Sequence, residues 1–561
     1  MPLQIAVAFQ SILKLTLLMK TLLPILFVLA FSPWASAQFV IFGEAVQSNI
    51  NNSGFTVSYT TSQPGEGILE YGLTPSLEMG FSSSGPNGGS HQIVLSALQA
   101  AEIYYVRPNL IRNGDTIPST KTAIMATASN STGQIKIFFN KSIDANVSNG
   151  TFPNINNSSA AIVSELIKRI DSAQSTIDVA AYNINQSNIV TALNNAQNRG
   201  VVVRYIANDG TSNTALSNAN FPNQEVNTTG LMHNKFLVFD AGSVYDSYVW
   251  TGSMNLTSGN IYDDFNNVVL LQDQTLAKAY TIEFNEMWGG TSATFNALTS
   301  RAGSQKTDNT PHLFMIGGKL VEQYFSPTDN TTTAIKNAVL SAGGDISFAL
   351  LTFTNNELRD AVLDRQQSGE QVAGIIENIG DQGSDYNDLN AGGVDVYADN
   401  QPHDIHHKYA IIDANTPNSD PQVVTGSHNW SQGAEDNNDE NTLIIHDAEI
   451  ANWYLQEFSA RYCANEGSSS CQYDPAVSVW QTAFHSFEVY PNPSQGQIQI
   501  ELDQNRVLAY QLLNTLGQTI QNGQIQGQQA TLNLNELPKG SYYLVLYQNG
   551  QAWGRQMIQL F

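Results

Sequence analysis

Two segments of the chain carry histidine, lysine, aspartate, serine and asparagine in the same order. The first segment reads His233-Asn234-Lys235, then Asp240, then Gly252-Ser253-Met254-Asn255. The second reads His406-His407-Lys408, then Asp413, then Gly426-Ser427-His428-Asn429. The glycine follows the histidine by 19 residues in the first segment and by 20 in the second, so one inserted loop residue explains the difference.

These residue types fit displacement at a phosphorus atom that negative oxygens shield. Lys235 and Lys408 can neutralise that charge as ammonium groups. Histidine titrates near neutral pH, so one ring can attack while another donates a proton to the leaving alcohol. Hydrogen bonds to the phosphate oxygens can come from the serine and asparagine side chains, namely Ser253, Asn255, Ser427 and Asn429. This scheme requires no metal and no cofactor.

Strand geometry predicts how the groups are presented. Alternate side chains of a strand share a face, so His233 and Lys235 point the same way, as do His406 and Lys408. A single buried histidine is more often structural than catalytic. A structural core would repeat apolar residues rather than this polar set, so the repetition favours a functional site.

The elements around both segments indicate an internal duplication. We predict strands and helices at 177–182, 189–197 and 201–206, after a helix over 160–170 that Ser158 or Ser159 caps. The pattern returns at 346–351, 358–365 and 372–376. Ile177 to Ile346 and Gly200 to Gly369 share one offset of 169 residues, which a chance match would not produce. The alternation of strands and helices predicts an α/β fold.

Both repeats resemble the phospholipase D superfamily, whose motif is His-x-Lys-(x)4-Asp followed by Gly-Ser-x-Asn. The resemblance implies one duplicated α/β/α sandwich, with repeats at 133–302 and 312–462, and a covalent phosphohistidine intermediate in a single site. It implies catalytic roles for His233, Lys235, Asp240, His406, Lys408 and Asp413. Family precedent favours His233 as the nucleophile, although the choice stays open.

Family members also place a carboxylate and an asparagine shortly after the Gly-Ser turn. In the second repeat these are Glu440 and Asn441, and Glu440 can orient a histidine. The first repeat has Asn266 before Asn267, so it departs from the pattern at the carboxylate. That departure puts in doubt which histidine is the nucleophile.

Two all-β sandwich domains are expected at the flanks. Over 39–128, short alternating runs are separated by turn residues, and the Leu98 and Tyr104 spacing resembles the tyrosine corner of fibronectin type III-like domains. Over 487–561, three segments resemble the carboxy-terminal sorting domain of type IX secretion: Tyr490-Pro491-Asn492-Pro493, Leu516-Gly517 and Leu537-Pro538-Lys539-Gly540-Ser541-Tyr542-Tyr543. This implies export across an outer membrane, with the secretion machinery as a partner.

The chain ends agree with an exported protein. Residues 1–37 read as a signal peptide, with an apolar stretch over 22–31 before Ala35-Ser36-Ala37. Cys463 and Cys471 are expected to form a local disulfide at the start of a linker over 463–486. One chain supplies both motifs, so we expect a monomer.

The sequence leaves more than one class of substrate. We expect hydrolysis of phospholipid headgroup esters, while compact members of the superfamily cleave DNA or RNA with the same residues. The net charge of −25 mildly favours lipid, since few cations remain to track a nucleic-acid backbone. A surface-binding protein with a non-catalytic core is a third possibility.

Overall fold

The computed structural model describes residues 40–560, apart from 86–87, 149–152, 155, 417–418, 468–470, 472, 474–486, 493, 515–518, 536 and 549–550. The predicted signal peptide, most of the predicted linker and the Leu516-Gly517 segment lie outside these residues. Within them, no helix has both the length and the apolar character needed to cross a membrane.

The amino-terminal region is all-β and is built on one long strand. Its strands are β1 (Val46–Asn51), β2 (Gly54–Gly72), β3 (Gly80–Ser83), β4 (Gly88–Ser96), β5 (Ile103–Arg112), β6 (Asp115–Pro118) and β7 (Ala123–Ala126). The first part of β2 pairs with β1 and β4, whereas its second part pairs with β3 and β5. The Tyr104 hydroxyl accepts a hydrogen bond from the Gln99 backbone N–H at 3.0 Å, which is the contact of a tyrosine corner.

The first repeat alternates strands and helices. Its elements are β8 (Ile135–Phe139), α1 (Ser159–Ser172), β9 (Thr176–Ala181), α2 (Ser187–Asn198), β10 (Val202–Asn208), β11 (Asn223–Val226), β12 (Lys235–Phe239), β13 (Tyr248–Gly252), β14 (Asn267–Leu271) and α3 (Gln274–Trp288). Short helical turns cover Ala145–Val147, Thr214–Asn218, Gly259–Asp263 and Gly303–Gln305. Ser158 caps α1 by accepting the Ala161 backbone N–H at 3.2 Å, as predicted.

The second repeat follows the same plan. Its elements are β15 (Leu313–Ile316), β16 (Lys319–Ser326), α4 (Thr331–Leu340), β17 (Asp345–Leu350), α5 (Asn356–Ser368), β18 (Gln371–Ile376), α6 (Tyr386–Ala391), β19 (Asp395–Ala398), β20 (Lys408–Ile412), β21 (Gln422–Gly426), α7 (Gln432–Asp436), β22 (Glu440–His446) and α8 (Ala448–Glu466). The predicted elements at 346–351, 358–365 and 372–376 are therefore confirmed.

The two central sheets have one topology. The strand order is β11-β10-β9-β12-β13-β14-β8 in the first sheet and β19-β18-β17-β20-β21-β22-β16 in the second, which adds β15 at its edge. The motif strands β12 and β20 occupy equivalent central places, each antiparallel to the strand that begins the repeat pattern, β9 or β17. This agreement confirms the duplicated α/β architecture.

Hydrophobic packing joins the repeats into one unit. A shared core lies between the two sheets and includes apolar residues of both α3 and α8. Separate outer cores pack α1 and α2 on the first sheet and α4 and α5 on the second. The inner faces of the sheets are thereby held together, and the ends of β12 and β20 meet.

The carboxy-terminal region is a further all-β unit with its own core. Its strands are β23 (Glu488–Tyr490), β24 (Gln497–Leu513), β25 (Thr519–Asn533), β26 (Gly540–Gln548) and β27 (Gln551–Leu560). Before it, a disulfide joins Cys463, near the end of α8, to Cys471.

Candidate active site

The two motif histidines lie at one junction between the repeats. Each is bound through its backbone to a segment of the other repeat: the His233 N–H donates to the Asp439 carbonyl, and the His406 N–H donates to the Phe265 carbonyl, both at 3.0 Å. Lys235 of the first repeat contributes, with burial and Lys408, to lowering the pKa of His406. Both motifs therefore contribute to one site.

The site is narrow. His233 and His406 are only 7% and 8% exposed, and Lys235 and Lys408 are each 2% exposed. A substrate must therefore present its phosphate to a deep opening, because the reactive groups do not stand on an open surface.

His233 is held by a carboxylate from the other repeat. Its Nδ1 lies 2.8 Å and 2.9 Å from the two carboxylate oxygens of Glu440, which is completely buried. Glu440 thus has the orienting place that the sequence predicts, and the contact leaves the other ring nitrogen, Nε2, for the substrate.

His406 has a neutral partner at the equivalent place. Its Nδ1 lies 3.0 Å from Oδ1 of Asn266, so the first repeat supplies an amide where the second supplies Glu440. The two histidines are therefore related by the pseudo-symmetry of the fold but differ in the charge beside them.

Both lysines are anchored in the same way. Lys235 Nζ donates to the carbonyl of His233 at 2.7 Å, and Lys408 Nζ donates to the carbonyl of His406 at 2.8 Å. An ammonium group has three donors, so each lysine keeps hydrogen atoms for phosphate oxygens.

Burial dominates the titration of these groups. Burial lowers the pKa of His233 to about 4, with Glu440 opposing part of the decrease. It also lowers the pKa of Lys235 to about 7, and the pKa values of Lys408 and His406 fall well below their ordinary values. Burial raises the pKa of Glu440, but the charges of His233 and Lys235 outweigh that effect and hold it at about 2. An anion bound between the lysines would favour their charged forms.

Asp240 and Asp413 do not occupy catalytic places, which corrects the expectation from the motif. Asp240 follows β12 at the end opposite His233, and its carboxylate accepts the backbone N–H groups of Gln174, Ser175 and Thr176 at 2.7–2.9 Å. Asp413 accepts those of Gly343 and Asp345 in the same way. Five residues of strand span roughly 16 Å, so neither carboxylate can reach the substrate. Their role is to fix the loop that leads into β9 or β17.

The Gly-Ser turns position the segments that hold the histidines. Gly252 and Gly426 have φ angles of 145° and 143°, and a Cβ on either would lie 2.3 Å or 2.2 Å from the carbonyl of Asn267 or Asn441. Ser253 Oγ then accepts the Asn267 N–H at 3.1 Å.

Ser427 Oγ accepts the Asn441 N–H at 3.0 Å. Since Ser253 and Ser427 are fully buried, their geometry favours orienting roles over phosphate binding.

Asn255 and Asn429 of the two motifs each carry an unsatisfied polar atom. The side-chain carbonyl oxygen of each is buried and has no hydrogen-bond partner among the described residues. Buried polar atoms without partners are uncommon, and in a site of this kind they point to a ligand. The predicted binding roles of both residues remain predictions.

Tyr182 is a site residue that sequence reasoning missed. Its ring packs edge-on against His233 with centroids 4.9 Å apart, and Lys235 Nζ lies 5.3 Å from the ring centroid. The only sequence signal is its place directly after β9, because the equivalent residue of the second repeat is Leu351.

Three further histidines lie close to the motifs in the sequence, namely His403, His407 and His428. His407 faces the shared core, where Nε2 lies 3.2 Å from Glu457, and buried His428 lies 3.6 Å from Glu435. His403 is exposed.

Among the residues that the structure describes, one cluster away from the motifs has the composition of a metal site. Asp308, His312 and Asp329 bring potential ligand atoms within 4.8 Å of one another. The Asp329 carboxylate already accepts the Phe325 N–H at 2.7 Å and the Thr328 hydroxyl at 2.9 Å, which is a structural use.

Comparison with known families agrees with this geometry. The family model described as "Cardiolipin synthase, PLD-like domain" matches residues 166–288 and 335–462, one part in each repeat. The chain carries a two-part phospholipase D-like domain.

Individual relatives are similar over part of their length. "Phospholipase D" of Rickettsia bellii is 29% identical over 147 residues, covering 26% of this chain and 70% of that protein. Human "Mitochondrial cardiolipin hydrolase" is 31% identical over 132 residues, covering 23% of this chain and half of that protein. The chain thus spans about half the length of the human relative.

Among solved structures, the phosphatidylserine synthase of Haemophilus influenzae has a TM-score of 0.40 at 13% identity, covering 59% of this chain and 85% of that one. Nuc, a phospholipase D family member from Salmonella typhimurium, has a TM-score of 0.22 at 21% identity, covering 28% and 93%.

The carboxy-terminal unit matches a second family. Residues 488–559 match the model "Secretion system C-terminal sorting domain". This domain indicates export through the outer membrane by the type IX machinery, to the cell surface or the medium.

Proposed function

We propose that the chain is an exported phosphodiesterase that hydrolyses phospholipid headgroup esters through a phosphohistidine intermediate. The observation that carries the proposal is the convergence of two histidines, each with an anchored lysine and a hydrogen-bond partner from the opposite repeat. Lys235 and Lys408 bind the phosphate oxygens. One histidine forms the covalent bond to phosphorus, while the other carries the proton. Both motifs are in one chain, so a monomer suffices.

The charge around His406 favours a lipid over a nucleic acid. The Glu377 carboxylate accepts the backbone N–H of Ile405, directly before His406, at 2.8 Å. Burial, with added repulsion from Asp399 and Asp404, raises the pKa of Glu377 to about 7. Asp264 is near enough to act on Lys408. A bound nucleic-acid strand would bring its neighbouring phosphates close to these carboxylates, and the like charges would repel. A lipid diester has one phosphate and avoids this repulsion.

The equivalent places around His233 are neutral. Asn208 takes the place of Glu377 and accepts the Met232 backbone N–H at 2.8 Å. Leu231 is at the position equivalent to Asp404, and Asn438 is at the position equivalent to Asp264. Among the described residues, the neighbours named here for each histidine include no row of cations of the kind that tracking a nucleic-acid backbone requires. The depth of the histidines also disfavours a duplex, whose phosphates could not reach them.

The substrate class can be tested with purified protein in excess EDTA. We expect headgroup release from phosphatidylcholine or phosphatidylethanolamine vesicles, and much slower cleavage of single-stranded DNA. His233→Asn and His406→Asn should each lose at least three orders of magnitude in kcat, whereas His403→Asn, an exposed neighbour, should behave as the wild type. Faster cleavage of DNA than of lipid would replace this proposal with the nuclease alternative. Inactivity on all these substrates would favour a non-catalytic core.

We further propose that the sorting domain is removed after export and that residues 39–128 act as a spacer or binding module. Mass spectrometry of the exported form would locate the carboxy terminus of the mature protein.

A further inference from the structure

A buried lysine in the segment between the two repeats contacts the residue that precedes Glu440. The side chain of Lys306 is fully buried, and its ammonium group donates to the Glu283 carboxylate of α3. It also donates to the Ser326 carbonyl at 3.0 Å, and it lies 3.1 Å from Oδ1 of Asp439. An ammonium group has three donors, so each donor of Lys306 has an acceptor within the protein.

Two of these three contacts lie on either side of Glu440. Asp439 directly precedes Glu440, and the Asp439 carbonyl accepts the His233 backbone N–H at 3.0 Å. Ser326 is paired with Glu440 across the neighbouring strands β16 and β22. Lys306 therefore ties the residue before Glu440 to the residue that is paired with it.

Lys306 also balances the negative charge of this region. Glu283, Asp439 and Glu440 are each at most 1% exposed. Burial raises the pKa of Asp439 and repulsion from Glu440 adds to that effect, whereas Lys306 opposes it. A buried carboxylate that loses its cation is strongly destabilised. Without Lys306, the adjacent carboxylates of Asp439 and Glu440 would move apart, and Glu440 would lose its place beside His233.

The equivalent place beside His406 is built differently. Phe265 corresponds to Asp439, because its carbonyl accepts the His406 backbone N–H at 3.0 Å. The charged groups of Lys141 and Arg461 lie over the Phe265 ring, 5.9 Å and 4.3 Å from its centroid. An apolar ring needs no buried counter-ion. The contacts of Lys306 therefore accompany the carboxylate pair at Glu440 rather than the duplicated fold.

On the basis of the proposed function, we infer that Lys306 is a positioning residue of the active site, which holds Asp439 and Ser326 so that the Glu440 carboxylate stays against His233. Lys306 takes part in no bond that forms or breaks. It acts through Glu440 in the same way whichever histidine attacks phosphorus.

A double-mutant cycle on the full chain tests this role with phosphatidylcholine vesicles as substrate. Lys306→Met should lower kcat at least about tenfold and change KM by less than about threefold. In the Glu440→Gln background the same change should lower kcat by less than about threefold, because the carboxylate through which Lys306 acts is already gone.

Arg204→Met is the matched control. Arg204 is another buried cation of the first repeat, and it binds both carboxylate oxygens of Asp178 at 2.7 Å and 2.8 Å. Its loss should lower the free energy of unfolding. Any change in kcat per folded molecule should be the same with and without the Glu440 carboxylate, because Arg204 has no described contact with Glu440 or His233.

A second measurement does not depend on turnover. An NMR titration of the full chain with labelled histidine gives the pKa of His233, whose signal is assigned by its absence from His233→Asn. Lys306→Met should lower this pKa, because Glu440 moves away from the ring. Loss of a positive charge without movement of Glu440 would raise the pKa or leave it unchanged.

If Lys306→Met does not fold, Lys306→Met combined with Glu283→Gln removes the buried charge pair together, which proteins often tolerate. The same results are expected from it. Equal fold losses with and without the Glu440 carboxylate, or a pKa of His233 that does not fall, would overturn the role of Lys306. A wild type that hydrolyses no phosphodiester would instead end the proposed function, and the pKa of His233 would then decide whether Lys306 holds Glu440 in place.

Discussion

Replacing Glu440 by glutamine removes the charge beside His233 and keeps the shape of the side chain. In the native protein the charges of His233 and Lys235 hold the pKa of Glu440 at about 2, against an ordinary value of 4.5. That difference corresponds to roughly 3 kcal/mol of favourable interaction with the positive charges around it. If most of it stabilises protonated His233, kcat/KM for a phospholipid should fall by about a hundredfold.

The same change should shift the pH dependence in a defined direction. Without the carboxylate, His233 releases its second proton at a lower pH, so the alkaline limb of kcat/KM moves to lower pH. Release of 4-nitrophenolate from the diester bis(4-nitrophenyl) phosphate should change little, because nitrophenolate leaves without an acid. The assay compares both substrates over a range of pH.

Asp436→Asn is the matched control, since this exposed carboxylate lies four residues before Glu440 but has no contact with either histidine among those described. Equal losses on both substrates with no movement of the alkaline limb would refute the reasoning. Such a result would mean that Glu440 only supports the fold.

Further predictions concern the lysines and the motif aspartates. Dimethyl phosphate, a diester that stays singly charged, should bind more weakly as the pH rises through about 7, where Lys235 loses its proton. Lys235→Met should weaken that binding at least tenfold by calorimetry, and an unchanged affinity would contradict phosphate binding by Lys235. Asp240→Asn should lower the free energy of unfolding by about 2–3 kcal/mol through the backbone N–H groups it leaves unpaired. The kcat of this variant per folded molecule should stay within about tenfold of wild type. A loss as large as that of His406→Asn would show that Asp240 has a catalytic role.

Much of this architecture can be predicted from repetition in the sequence. The shared offset of 169 residues relates β9 to β17 and the helix that follows each strand, and the structure confirms these elements. The predicted motif strands are present, although β12 begins at Lys235 and β20 at Lys408, so each histidine lies two residues before its strand. These features depend on short-range sequence patterns, so they can be predicted from neighbouring residues.

The contacts that decide the chemistry are not local. Glu440 reaches His233 across 207 residues of sequence, and Asn266 reaches His406 across 140. Their spacing after the Gly-Ser turn identifies Glu440 and Asn266 in the sequence. Only the packed repeats show that each contacts the histidine of the opposite motif. For the same reason, motif membership alone misassigned Asp240, whose carboxylate binds the loop before β9.

The most direct test of the account is alcohol transfer by the purified enzyme. With phosphatidylcholine vesicles, excess EDTA and ethanol, a covalent phosphohistidine can be intercepted by the alcohol, so phosphatidylethanol should form beside phosphatidic acid. His406→Asn and His233→Asn should form neither product. Loss of all activity in EDTA, or formation of phosphatidylethanol by the His406 variant at the wild-type rate, would contradict the two-histidine covalent mechanism.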